Sequence, residues 1–184
     1  MTKSKLDTAI DFAKNLFTTG AVFQTSRKTE REICTRLSRE PRKIFVEFGM
    51  GHGNITRQVL KTIAPDAKLY TFEINPEFCE YVARTLRDDR LVIVNDGAEN
   101  LLKHLEGQRV AGFVSSIPFT FFAKEKRLAI LRQTYDVLEP GGVFSQVLYS
   151  KFHYKIFDQV FDEADVRKIS TIPLEYIYHC RKRK

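Results

Sequence analysis

The chain has 184 residues, 43% of them hydrophobic and 29% charged, and a formal net charge of +7. This composition suits one globular domain and excludes disordered, collagen-like and low-complexity architectures. No run approaches the roughly 18 consecutive apolar residues of a membrane span, and the charged opening MTKSKLDTAIDFAK is unlike a secretory leader. Three widely separated cysteines, Cys34, Cys79 and Cys180, fit neither a disulfide framework nor a zinc site. A cytoplasmic protein with reduced thiols and no metal is expected. The positive excess lies at the two ends: residues 1–43 hold ten Lys/Arg against five Asp/Glu, and Arg181-Lys182-Arg183-Lys184 close the chain. Such ends suit an anionic partner, either a phosphate backbone or an acidic membrane surface.

Taken in order, Leu6, Ala9, Ile10, Ala13, Leu16 and Phe17 follow helical spacing opposite Lys3, Lys5 and Lys14, which predicts an amphipathic helix ended by Gly20. A second helix is predicted over 27–39, stopped by Pro41. Lys43–Glu47 reads as a strand running into glycines, followed by a helix over 53–63. Lys68–Phe72 is the next strand, and Asn75-Pro76 opens the next helix with a good N-cap and a proline at the first position. Leu91–Val94, Ala111–Val114 and Val143–Leu148 supply three more strands, with a helix over 122–138 before the last. Strands alternating with helices imply right-handed crossovers and a parallel sheet covered on both faces. Arg167–Ile172 and Glu175–His179, separated by a Pro-containing turn, predict a closing antiparallel hairpin. The expected fold class is α/β, a doubly wound seven-stranded mostly parallel sheet with an antiparallel last strand, plus N-terminal helices.

Gly49, Gly51 and Gly53 fall where the first strand turns into its helix. Glycine accepts positive φ and lets a ligand lie on the main chain, and a helix N-terminus offers free N–H groups. Glu73 ends the second strand 20 residues after Gly53, placed to accept from ribose hydroxyls. The spacing is G-x-G-x-G with Glu47 two residues ahead, not the G-x-G-x-x-G of dinucleotide sites. The third strand ends in Asn95-Asp96-Gly97, and Leu138-Glu139-Pro140-Gly141-Gly142 leads into the fifth. In these motifs and their order, residues 43–150 resemble the S-adenosylmethionine-dependent methyltransferases of the Rossmann-like class. The resemblance implies that Glu47, Gly49, Gly51 and Gly53 line the methionine end, Glu73 the ribose, and Asp96 and Gly97 the adenine, with Ser115 beside the cofactor and S-adenosylhomocysteine as product. It also implies one methyltransferase domain over 1–184, divided into a helical lid or membrane-facing segment (1–40) and a Rossmann-like core (41–184).

After the fourth strand comes Ser116-Ile117-Pro118-Phe119, similar to the N/S/D-x-P-F/Y signature of methyltransferases that act on amines. The resemblance gives Ser116 and the carbonyl beside Pro118 the role of accepting hydrogen bonds from the attacking nitrogen, and the Phe119 ring that of packing on the acceptor. Such catalysis is mostly positioning. Phe12–Phe17, Gly20-Ala21-Val22, Thr25-Ser26-Arg27 and Ser145–Ser150 look like bacterial phospholipid N-methyltransferases, with a departure at Gln24-Thr25-Ser26 where that family has Pro-Ser-Ser. An aminolipid headgroup such as phosphatidylethanolamine is therefore the expected acceptor, met at the inner face of an anionic membrane, with Tyr149 touching the headgroup. Methylation of RNA adenine or of another amine is the alternative. His52, inside the glycine loop, is read as loop filler or as a residue near the sulfonium.

Overall fold

The computed structural model describes residues 25–119, 122–149 and 154–183. The predicted first helix with Lys3, Lys5 and Lys14 lies outside these residues. Helix α1 (Arg27–Ile33) precedes β1 (Ile44–Phe48), α2 (Asn54–Thr62), β2 (Lys68–Phe72), α3 (Pro76–Thr85) and β3 (Leu91–Val94). A 3-10 turn at Ala98–Asn100 leads to α4 (Leu101–Leu105), β4 (Val110–Ser115), α5 (Lys124–Val137) and β5 (Leu138–Leu148). The chain continues through α6 (Tyr154–Asp158), β6 (Glu163–Ile169) and β7 (Glu175–Arg181). The strands bond in the order β3-β2-β1-β4-β5-β7-β6. The first five are parallel, and β7 runs antiparallel to both its neighbours. This is the expected doubly wound sheet.

Alternation along each strand divides the core in two. Val46, Phe48, Phe113 and Phe144 face one side and pack with Ile130 and Leu131 of α5 and Phe157 of α6. Phe45, Leu69, Val114 and Ile177 face the other, with Ile33 of α1 and Val59 of α2. Each such side chain, fully buried, stabilises the fold by about 1.5–3 kcal/mol. The three cysteines are free and buried. Among the described residues no helix is long and apolar enough to cross a membrane.

Three boundaries differ most from expectation. Helix α1 ends at Ile33, not near 39: Cys34 N and Thr35 N bond back three residues, to the Arg31 and Glu32 carbonyls, and the Thr35 hydroxyl takes the Glu32 carbonyl as well. These bonds tighten the last turn away from α-helical geometry. Strand β5 begins at Leu138, because Leu138 pairs with Val110 and the Gly141-Gly142 segment exchanges backbone bonds with Lys182. The Pro-Gly-Gly turn is thus part of the strand. Strand β6 starts at Glu163 rather than Arg167, since it pairs with β7 along its whole length, to Glu163 opposite Arg181.

Candidate active site

β1 delivers the chain into Gly49–Gly53, where φ is +82° at Gly49, +52° at Gly51 and +78° at Gly53. That region favours glycine. At Gly49 space is closed too, because a Cβ would lie 2.9 Å from Ile117 Cγ2 and 3.2 Å from Ser116 Oγ. The loop after β4 therefore presses directly on the glycine loop. Ser116 N donates to Phe48 O (2.9 Å), Ser116 Oγ donates to Gly49 O (2.8 Å), and Gly49 N donates to Phe72 O (2.9 Å). The carboxyl ends of β1, β2 and β4 are stitched into one rim, the place where open α/β sheets bind ligands.

Glu73 lies on this rim. Its carboxylate accepts from Gly51 N (3.0 Å) and Asn75 N (2.9 Å), and Asn95 Nδ2 donates to its backbone carbonyl (2.8 Å). Burial raises its pKa despite the stabilising backbone N–H groups. Glu47 sits deeper, only 1% exposed. Its Oε2 accepts from Thr56 Oγ1 (2.7 Å) and Thr71 Oγ1 (2.9 Å), whereas Oε1 has no hydrogen-bond partner among the described residues. Burial pushes this carboxyl up to about 8, outweighing both hydroxyl bonds, and the nearby Glu73 charge adds to the rise. Asp96, after β3, accepts from Gly97 N and Asn100 Nδ2 (both 2.7 Å) and contacts His104 Nε2 (2.8 Å). Burial opposes its ionised form, but the bonds from His104, Asn100 and Gly97 together hold its carboxyl below the ordinary value. The His52 ring packs edge-on against Phe78 and Tyr81 of α3, at 4.7 and 5.5 Å, as a loop filler does.

The loop after β4 separates into two parts. Ser116 and the exposed Pro118 belong to the rim. Ser115 and Phe119 do not. Ser115 is wholly buried, with no hydrogen-bond partner for its Oγ among the described residues. Phe119 is 2% exposed and lies within 6.0–6.5 Å of the Phe122, Phe144 and Phe157 rings. The ring expected to pack on an acceptor thus anchors the turn to the core. The Ile117 carbonyl accepts from Phe119 N (2.8 Å) and from Gln146 Nε2 (3.0 Å). Tyr149, half exposed at the end of β5, has its hydroxyl pKa raised by burial and by the Glu175 charge. Glu175, at the start of β7, accepts from Thr29 Oγ1 of α1. Ser26 caps that helix by accepting from Thr29 N (3.2 Å).

Sequence reasoning missed Thr56, Thr71, Gln146, Thr29 and Glu175 as parts of this architecture. One signal was available: Thr56 interrupts a buried helix face made by Ile55, Val59 and Leu60, and a polar group in such a stripe implies a buried partner. The positive-φ glycines and the orphaned Glu47 Oε1 suit a cofactor laid against the main chain with a donor reaching below the loop.

Residues 45–142 match the family model described as a methyltransferase domain. The chain is 30% identical over 169 residues to an ornithine lipid N-methyltransferase of Singulisphaera acidiphila, covering 85% of this chain and 82% of that one. It is 24% identical over 110 residues to a ribosomal RNA small subunit methyltransferase H of Shewanella loihica, covering 60% of this chain and 35% of that one. Its fold superposes with TM-score 0.70 on the N-methyltransferase NodS of Bradyrhizobium japonicum in complex with S-adenosylhomocysteine, at 12% identity, covering 86% of this chain and 87% of that one. With the glycine loop, the acidic strand ends and the sheet order already in hand, the conclusion is that this chain belongs to the S-adenosylmethionine-dependent methyltransferase family and is an N-methyltransferase that uses S-adenosylmethionine.

Proposed function

We propose that the acceptor is the amine of a membrane aminolipid headgroup. The observation that carries this reading is the Ser116 Oγ to Gly49 O bond at 2.8 Å. It commits the hydroxyl proton to the glycine loop and leaves the oxygen lone pairs free to accept an N–H from an incoming amine. An amine held there has its lone pair aimed across the rim at the loop, which is catalysis by orientation. The amine must be uncharged to attack, so an ammonium headgroup loses its proton first. When bound, S-adenosylmethionine supplies the electrophilic methyl group.

The chain's own residues supply the rest. Gly49, Gly51 and Gly53 give close backbone approach; Glu73 and Asp96 accept from the ribose hydroxyls and the adenine amine, and Gly97 shapes the loop beneath them. Glu47 Oε1 faces the amino-acid end. Gln146 holds the Ile117 carbonyl, and Tyr149 meets the headgroup. The chain works as one domain at the cytoplasmic face of the membrane. Similarity to the ornithine lipid N-methyltransferase supports a lipid acceptor.

The test is label partition. The protein is incubated with methyl-tritiated S-adenosylmethionine and a bacterial lysate, and the chloroform, RNA and protein fractions are counted. Label in chloroform is expected; label in RNA alone would replace this reading with the RNA alternative.

A further inference from the structure

A groove of about 490 Å³ opens between α1 and α2. Its walls carry Arg27, Arg31, Arg57 and Lys61 around one acid among the described residues, Glu30. All four cations act electrostatically on Glu30, so they share one neighbourhood. Arg57 is fixed, donating to the His52 carbonyl at 3.0 Å and to Thr85 Oγ1 at 3.4 Å. Arg57 also touches the glycine loop, its Nη1 lying 3.4 Å from where a Cβ on Gly53 would sit. Arg27, Arg31 and Lys61 make no side-chain hydrogen bond or ion pair with the described residues. Three long cationic side chains gathered near one carboxylate make a positive patch that attracts anions.

We propose that this groove docks the protein on an anionic bilayer, Arg27, Arg31 and Lys61 engaging the phosphates of lipid headgroups while the adjoining rim receives the amine. The inference rests on the aminolipid reading of the rim and adds the surface that presents it. Lipid is favoured over RNA because the neighbouring rim is read as receiving a lipid amine, in keeping with the similarity to the ornithine lipid N-methyltransferase. Guanidinium and ammonium groups suit the phosphates of such headgroups.

The full chain is sedimented with phosphatidylcholine vesicles containing or lacking phosphatidylglycerol. Each basic residue near an anionic surface strengthens binding roughly fivefold, so the combined change Arg27→Gln, Arg31→Gln and Lys61→Gln is expected to weaken binding to the anionic vesicles roughly a hundredfold. The charge-preserving pair Arg27→Lys and Arg31→Lys is expected to keep it. S-adenosylhomocysteine affinity, measured by calorimetry, reports that each variant is folded. A folded triple variant that binds vesicles as tightly as the parent overturns the proposal. So does a parent protein that prefers a single-stranded oligoribonucleotide to the vesicles and loses it in the triple variant. Label partition fails separately: labelled lipid with unchanged vesicle binding removes the groove and keeps the substrate, whereas labelled RNA without labelled lipid removes the substrate reading itself.

Discussion

The glycine-loop rim and the basic groove meet at Arg57, yet they treat polar groups in opposite ways. At the rim the hydrogen bonds close on the protein itself: Ser116 to Gly49, Gly51 and Asn75 to Glu73, Asn95 to the Glu73 carbonyl, and Gln146 to Ile117. In the groove, three of the four cations have no such bonds with the described residues. A cofactor of fixed shape is met by atoms that are already held, since preorganised dipoles need no rearrangement when charge develops. A fluid bilayer presents no fixed pattern, and flexible cationic stems adapt to it. Rigidity at the rim and adaptability in the groove are two answers to two kinds of ligand.

If the rim depends on rigidity, its support in the core should be the most costly thing to remove. Phe119→Ala deletes a buried ring packed on Phe122, Phe144 and Phe157, and an expected loss of about 3–5 kcal/mol in denaturant unfolding follows for such a cavity. A loss near zero would mean that Phe119 leaves the core and that its role lies with the substrate after all. Glu73→Ala removes the acceptor for two backbone donors and, on the proposed reading, for the ribose, so S-adenosylhomocysteine affinity in calorimetry should fall roughly a hundredfold. The same substitution should leave vesicle binding unaltered, which separates rim from groove.

Glu47 sharpens the contrast through pH. Its folded carboxyl, pushed up to about 8 by burial, keeps a proton that the unfolded chain loses near 4.5. The folded state then binds more protons across that window, so this contribution to stability is complete below 4.5 and is lost as pH rises toward 8. The slope is at most ~1.4 kcal/mol per pH unit. Glu47→Gln should flatten the fall in unfolding free energy between those pH values, leaving the part due to Glu73, whose carboxyl is raised in the same direction. Ser116→Ala is the mildest rim change. Removal of one acceptor should lower kcat roughly tenfold while the KM for lipid changes little.

The legibility of this molecule in its sequence follows the same division. Strands at Lys68–Phe72 and Leu91–Val94 have the residues expected of them because short apolar runs there are bounded by turn-forming residues. Strand β6 (Glu163–Ile169) was harder to bound: EADVRKI is a half-exposed edge strand whose polar residues blur the alternation. Strand β5 gained Leu138–Gly142 through pairing with Val110 and Lys182, partners that are distant along the chain. At the site, the acids at strand ends could be found from spacing alone. The bonds from Thr56 and Thr71 to Glu47, from Gln146 to Ile117 and from Thr29 to Glu175 could not. They depend on register between strands and on where α1 docks. The groove was invisible for the same reason, since α1 and α2 contribute its cations from positions 27, 31, 57 and 61.

If the rim delivers a lipid amine to the methyl donor, the mass of the lipid product changes. Purified protein, S-adenosylmethionine and one defined aminolipid in mixed micelles should yield a lipid heavier by one methylene per transfer, with the gain on the headgroup nitrogen in fragment spectra. The same reaction with the Ser116→Ala protein should run roughly tenfold slower. An unchanged lipid mass, under conditions where the protein binds S-adenosylhomocysteine and methylates an RNA, would contradict the claim.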